Sequence, residues 1–317
     1  MLARLLPDKF ILLLLATIGI ATLLPAKGQG LAVVSVVSNA AIFSLFFFHG
    51  LRLAHEAVWA GLKHWRLQLA VLGFVYGALP LLGLAASALV PGMLSPELWL
   101  GIFFLCALPS TVQAAIASAS MAKGNVAASV IASAVSNLSG VILTPLIFAA
   151  LAHIGGGSGD LSTVGRIALL LLLPFALGQI ARHWLAAWAE RNRAWIGRLD
   201  RTTILITVYV AFSAAVNEGL WGRLDGAEML RLFAVVLGLL ALAFAGAWML
   251  GGLIGLKRED RITLLFSGAH KSLATGAPMA RILFPAAQAG MIVIPLMLYH
   301  QLQLTISAWI AARLARN

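Results

Sequence analysis

Charge is scarce in this chain: Asp, Glu, Lys and Arg make up 10% of its 317 residues, against 61% hydrophobic. A soluble globular domain carries about a quarter of its residues as charges, so the balance marks a polytopic membrane protein. A single cysteine, Cys106, rules out an intrachain disulfide and leaves the redox compartment open. The apolar runs lack the carboxylates that acid–base chemistry needs. They also lack a His-Glu-x-x-His helix, paired aspartates and a Gly-x-Ser-x-Gly elbow, all of which argues against an enzyme. No long polar stretch divides the chain, so we count one transmembrane domain over 1–317.

The formal charge is nonetheless +11. Its basic residues sit in short loops between apolar runs, where they meet a membrane face rather than nucleic acid. Arg4 and Lys9 precede the run Phe10 to Leu24, but no small-x-small pattern precedes Lys27, so this is a first spanning helix and not a signal peptide. Polar boundaries mark ten spanning segments, near 10–25, 31–51, 67–90, 98–122, 125–151, 161–181, 202–217, 229–255, 261–284 and 288–312. With both termini cytoplasmic, sixteen Lys and Arg, from Arg4 and Lys9 to Arg313 and Arg316, fall inside. Only Lys27, Arg166, Arg223, Arg231 and Arg281 fall outside, a bias that supports an even count in a cytoplasmic (inner) membrane. The remaining one of the 22 is Lys271. The longest polar loop, His183 to Asp200, separates two sets of five segments, 10–153 and 161–314. An odd number per half makes the second half enter from the opposite side, the inverted-repeat plan of secondary transporters.

Lys271 lies inside the ninth segment, where an ammonium costs on the order of 3 kcal/mol or more unless it faces a partner or a polar cavity. Around it stand Gly268, His270, Ser272, Thr275, Gly276 and Pro278. The fourth segment is interrupted in the corresponding place by Pro109, with Ser110, Thr111 and Gln113 available to satisfy the freed backbone. Both segments read as discontinuous helices, although two proline kinks packed by small residues would look the same. On the fifth segment Ser129, Ser133 and Asn137 fall at i, i+4 and i+8, one polar stripe. His300 and Gln303 share a face of the tenth. Asn39 and His49 on the second segment suit either a substrate path or an interfacial role. Trp184, Trp188 and Trp195 with Arg191 and Arg193 read as an amphipathic interfacial stretch.

Several stretches together resemble the bile acid/sodium symporter family. They are Phe47-Phe48-His49-Gly50-Leu51-Arg52-Leu53, Ala107-Leu108-Pro109-Ser110-Thr111-Val112-Gln113, Gly124-Asn125-Val126-Ala127-Ala128-Ser129 through Thr144-Pro145, and His270-Lys271-Ser272-Leu273-Ala274-Thr275-Gly276-Ala277-Pro278. Within that family the chain is similar to the bacterial branch allied to the seventh vertebrate member. The resemblance implies an all-α fold of ten transmembrane helices built as two inverted five-helix repeats. It implies a core of helices 3–5 and 8–10, a panel of helices 1, 2, 6 and 7, and broken fourth and ninth helices that cross. It also implies alternating access and a sodium ion near Ser129 and Ser133, with no other cofactor. Two family features are missing here. The fourth-helix polar pair falls on Ala114, Ala115 and Ile116, and the ninth-helix glutamate is replaced by His270 and Lys271, with Thr275 near the following glutamine.

A sodium site wants hard oxygens and usually a carboxylate, and Lys271 supplies the opposite charge. We therefore expect its ammonium to stand where related transporters hold sodium, bonded to oxygens of Ser129, Ser133 and the fourth-helix break. There it could couple transport to protons or serve as a counter-charge for a small organic anion. A secondary transporter for such an anion is the reading adopted, with sodium, protons or no ion as the coupling partner. A channel and a non-transporting regulator of ion homeostasis are the alternatives, and substrate identity and oligomeric state are not legible. A lysine can also hold an aldehyde cofactor as a Schiff base, which would colour the protein.

Overall fold

The computed structural model describes residues 9–52, 64–154 and 161–316. Two of the sixteen inner charges, Arg4 and Lys63, lie outside the described residues. Among the described residues the chain is helical and no strand occurs. The first half holds α1 (Lys9–Leu23), α2 (Gly28–Arg52), α3 (Trp65–Leu89), α4 (Pro96–Ala107), α5 (Gln113–Met121) and α6 (Val126–Ile154). The second holds α7 (Leu161–Arg191), α8 (Arg193–Asn217), α9 (Gly226–Leu253), α10 (Arg258–Ala269), α11 (Leu273–Leu283) and α12 (Ala286–Leu314). Six described helices are long and apolar enough to cross a bilayer: α2, α3, α6 over Val126–Ala152, α8, α9 and α12. α4 and Leu12–Leu23 of α1 are apolar but shorter.

The stretch from His183 to Asp200 corrects the sequence reading. It is not a loop: α7 continues through Arg191, and α8 begins at Arg193, with only Asn192 between them. The cause is packing of apolar residues interspersed among the charges. Ala189 and Ile196 bury themselves against Leu51, while Trp188 stacks on Phe48 with centroids 6.1 Å apart and Trp195 meets the same ring edge-on at 5.9 Å. Arg52 at the end of α2 pairs with Asp200 at 2.6 Å.

Packing divides the molecule into two compact units. One comprises α1, α2, α7 from Leu170 onward, α8 and the chain from Ala277 to Val293. The other comprises α3 to α6, α9, α10, the first residues of α11 and α12 from Ile294. The second unit contains both helix interruptions, and with them the buried lysine.

Within that unit α3 carries a defect with a traceable cause. Residues Phe74–Ala78 are wound as a π-helix, and the N–H of Leu79 reaches back to the Phe74 carbonyl. The Val75 carbonyl then has neither possible successor as donor, because Leu79 is engaged and the next residue, Pro80, has no N–H.

Candidate functional site

The first interruption follows from proline chemistry. A residue before proline is pushed out of the helical region, and Leu108 is extended at φ −71°, ψ 152°. α4 therefore stops at Ala107, and its terminal carbonyls lose their helical donors. Each finds another. Thr144 Oγ1 donates to the Ala107 carbonyl at 2.9 Å, and Asn137 Nδ2 donates to that of Ser110 at 2.8 Å. The Ser110 N–H donates to Ser136 Oγ at 3.1 Å, while Thr111 Oγ1 accepts from the Ala115 N–H at 3.2 Å and caps the start of α5. Gly140 lets this link sit close, since a Cβ there would lie 2.9 Å from Pro109 and 2.7 Å from the Tyr76 hydroxyl.

The second interruption has no proline at its centre. α10 ends at Ala269, His270 is extended at φ −76°, ψ 145°, and Ser272 starts α11 as an N-cap, its Oγ accepting from the Thr275 N–H at 3.2 Å. Ser272 Oγ also donates to Thr275 Oγ1 at 3.0 Å, which donates onward to Asn137 Oδ1 at 2.9 Å. The Gln303 carboxamide holds the link at Lys271 as a neighbouring strand would. It accepts from the Lys271 N–H at 2.8 Å and donates to the Lys271 carbonyl at 3.0 Å. Its other hydrogen points to His300 Nδ1 at 2.8 Å, which makes that nitrogen the acceptor and places the ring hydrogen of His300 on Nε2. The two links touch directly where the Ser272 N–H donates to the Pro109 carbonyl at 2.9 Å.

Lys271 sits at this crossing, 1% exposed. Its ammonium donates to the carbonyls of Leu108 at 2.6 Å, Cys106 at 2.7 Å and Val75 at 3.1 Å. Three hydrogens meet three acceptors, so the group is saturated. Two of those acceptors are the freed end of α4, the negative pole of a helix dipole, where a cation gains from about 0.3 to 2 kcal/mol. The third is the carbonyl orphaned by the π-helix and Pro80. Among the described residues no three His, Cys, Asp or Glu side chains converge as a metal cluster.

Of the residues singled out from sequence, Lys271, Ser272, Thr275, Asn137, Ser110, Thr111, His300 and Gln303 meet at the crossing. His270 belongs to it by backbone but turns its ring away: Nε2 lies 2.6 Å from Ser307 Oγ, Nδ1 lies 3.4 Å from Thr111 Oγ1, and the ring edges against Phe244 and Phe266. Gln113 is exposed in the first turn of α5. The expected bonds from Lys271 to Ser129 and Ser133 are a correction. Ser129 Oγ pairs with Ser267 Oγ at 3.2 Å, and Ser133 Oγ has no partner, because the lysine side chain extends toward α3 and α4 rather than α6. Sequence reading placed acceptors at the fourth-helix break, which Cys106 and Leu108 supply, and missed Val75, for which Pro80 was the available signal. It also missed Tyr299, whose hydroxyl donates to the Ala269 carbonyl at 2.6 Å, and Ser307, one turn beyond Gln303 on the face already marked by His300.

Known proteins match this chain along nearly its full length. The model of the SBF-like CPA transporter family matches residues 8–316. An uncharacterized protein of Pseudomonas aeruginosa, PA2026, is 47% identical over 315 residues, covering 99% of this chain and 95% of that protein. YfeH of Escherichia coli, which carries the name of a symporter, is 42% identical over 310 residues, covering 98% and 93%. Sodium/bile acid cotransporter 7 of Rattus norvegicus is 26% identical over 331 residues, covering 99% and 96%.

Proposed function

The chain belongs to the SBF-like CPA transporter family, a family of transporters and not of enzymes, and on that premise we propose that it is a secondary transporter in which the Lys271 ammonium replaces the coupling sodium. It moves a small organic anion across the cytoplasmic membrane by alternating access. Ten helices, arranged as inverted repeats 10–153 and 161–314 with both termini cytoplasmic, form the frame. The unit with α1, α2, α7 and α8 serves as the panel, and the unit with both interruptions serves as the core, a division supported by their separate packing.

The observation that carries this reading is the saturated ammonium of Lys271. A second cation beside it would meet like-charge repulsion and few free oxygens: the carbonyls at the crossing are engaged by the ammonium, the Ser129 hydroxyl is paired with Ser267 and that of Ser133 is left, and the family glutamate is replaced by His270 and Lys271. A tethered cation keeps the charge at the helix crossing without an ion to load or release. An anionic substrate is supported by the half-helices α5 and α11, which both start at the crossing. Such N-termini carry positive dipole ends, used in transporters to face anionic groups. The relatives named sodium/bile acid cotransporter point the same way.

Thermal midpoints of the purified protein in sodium chloride and in choline chloride test the replacement, because anything that binds the folded state raises its stability. The wild type should show no sodium-specific rise, whereas Lys271→Ala, with its carbonyls freed, should gain one. A sodium-specific rise in the wild type as large as in Lys271→Ala would sink the reading.

A further inference from the structure

The unit that holds both interruptions also carries an apolar groove without a role. It runs between α3 and α9 and holds about 510 Å³. Apolar residues line it, among them Phe74, Ala78 and Leu81 on α3 and Leu242, Ala245 and Met249 on α9. Leu81, Leu242 and Met249 are each more than half exposed, so in a bilayer the groove opens to lipid tails. A tail that enters it leaves one apolar medium for another, so the groove supplies shape and no hydrophobic gain. Selection of an occupant has to come from the end of the groove.

Two arginines stand there. Leu242, Ala245 and Met249 fall at i, i+3 and i+7 on α9, and Gly252 continues their stripe. The Arg261 guanidinium lies across Gly252, where a Cβ would be 3.2 Å from its Cζ, and a Cβ on Gly251 would be 2.7 Å from its Cγ. Its Cζ sits 3.9 Å over the Trp248 ring, and its Nε donates to the Trp248 carbonyl at 2.8 Å. On α3, Arg66, Ala70 and Phe74 fall at i, i+4 and i+8, one stripe that leads into the groove. Arg66 Nη2 donates to the Ile254 carbonyl at 2.9 Å, just past the end of α9. Among the described residues neither arginine pairs with a carboxylate. Of the two that open α10, Asp260 accepts from Asn125 Nδ2 at 2.8 Å and Glu259 is exposed. Basic residues commonly cap the last carbonyls of a helix and answer its dipole. Capping takes one N–H from each arginine and leaves the others, held in place, at one end of an apolar groove.

We propose that α3, α9 and the start of α10 form a binding site for an anionic glycerophospholipid, with one acyl chain in the groove and the phosphate on Arg66 and Arg261. At about 1.5 Å per residue, Leu242 to Gly252 spans roughly 15 Å, the depth of one leaflet of a hydrocarbon core about 30 Å thick. A chain that fills the groove therefore brings its headgroup to the arginines. A guanidinium offers paired N–H groups to phosphate oxygens, and one already fixed by a ring and a carbonyl loses less freedom on binding. Trp65, exposed at the start of α3, and Trp248 mark the same level, where such rings settle at a membrane interface. The occupant bears on the helix crossing too. The Phe74 ring at the groove wall sits between Gly246 of α9 and Gly268 of α10, where a Cβ would lie 3.2 Å and 3.1 Å from it. A chain in the groove holds that ring one residue from the Val75 carbonyl that Lys271 uses. The site involves no ion and no transported substrate, so it stands apart from the transport reading.

The test titrates the full chain, purified in detergent, with phosphatidylglycerol or with phosphatidylcholine of the same acyl chains, and counts bound lipid by native mass spectrometry. The wild type should retain one phosphatidylglycerol at a concentration about tenfold below that needed for phosphatidylcholine, whose choline offsets the phosphate charge. Arg66→Gln combined with Arg261→Gln should abolish that preference, while each glutamine keeps a donor for the carbonyls. Ala245→Phe, at an exposed position, fills the groove and should weaken phosphatidylglycerol binding with both arginines present. Glycerol 3-phosphate, a headgroup without a chain, should not compete. Equal retention of the two lipids by the wild type would mean annular lipid only and overturns the site. So does a preference that survives the double substitution, phosphatidylglycerol binding unchanged in Ala245→Phe, or displacement by glycerol 3-phosphate, which would mark a free-phosphate site.

Discussion

The two interrupted helices look alike in sequence and do opposite work. The break at Pro109 is a source of acceptors: the carbonyls of Cys106, Leu108, Pro109 and Ser110 all receive hydrogens from elsewhere. The break at His270 to Ser272 is a source of donors, and it delivers the Lys271 ammonium and the Ser272 N–H to that first break. A helix end normally leaves orphans that need water or caps. Here one half-helix end is satisfied by the other helix's link, so neither break can be understood alone. The difference also explains why a lysine is tolerated at depth. It is a donor placed where a neighbouring helix has run out of them.

Removing the donor side breaks this complementarity most severely. Lys271→Met keeps most of the side chain's length but leaves three buried carbonyls without partners. The expected loss is about 1–3 kcal/mol for each carbonyl left unsatisfied, several kcal/mol in all. Chemical or thermal denaturation of the purified variant reads it. A loss below about 1 kcal/mol would show that the acceptors find water and that the two breaks are not complementary.

Gln303 tests the donor side without touching the charge. Gln303→Leu leaves the Lys271 N–H unpaired in a buried setting and leaves its carbonyl only His300 Nδ1, 3.4 Å away, at an expected cost of about 1–3 kcal/mol. Gln303→Glu separates the two bonds, because a carboxylate still accepts from the Lys271 N–H and an ionised one donates nothing. Denaturation midpoints should rank the wild type first. A Gln303→Leu protein as stable as the wild type would mean that the extended link holds itself, without the carboxamide.

The breaks were legible in sequence because proline and an intramembrane lysine are local anomalies, and each has a structural cost that needs no tertiary knowledge to recognise. Helix limits were legible to within about three residues for the same reason: segments read as 31–51 and 229–255 are α2, Gly28–Arg52, and α9, Gly226–Leu253. The stretch 183–200 was not, because its apolar residues are sparse and acquire meaning only against Leu51 and Phe48. The lysine's partners were misassigned to Ser129 and Ser133. Spacing placed those hydroxyls on one stripe but carried no information about which way a long side chain turns across a crossing. Its true acceptors are main-chain atoms: two lie at the fourth-helix break that Pro109 announced, and Pro80 was the signal for the third.

The smallest effect concerns how the second break restarts its helix. Ser272 caps α11 through the Thr275 N–H and passes its own hydrogen to Thr275 Oγ1. Ser272→Ala loses both bonds and should cost about 1 kcal/mol, whereas Ser272→Gly loses them in a residue suited to cap positions and should cost only a few tenths. The order of the two denaturation midpoints is the informative quantity. If alanine is the worse substitution, the second break is set by capping chemistry, as the first is set by proline. If glycine is the worse, the link is held by packing around Ser272, and the likeness between the two breaks ends at their position in the membrane.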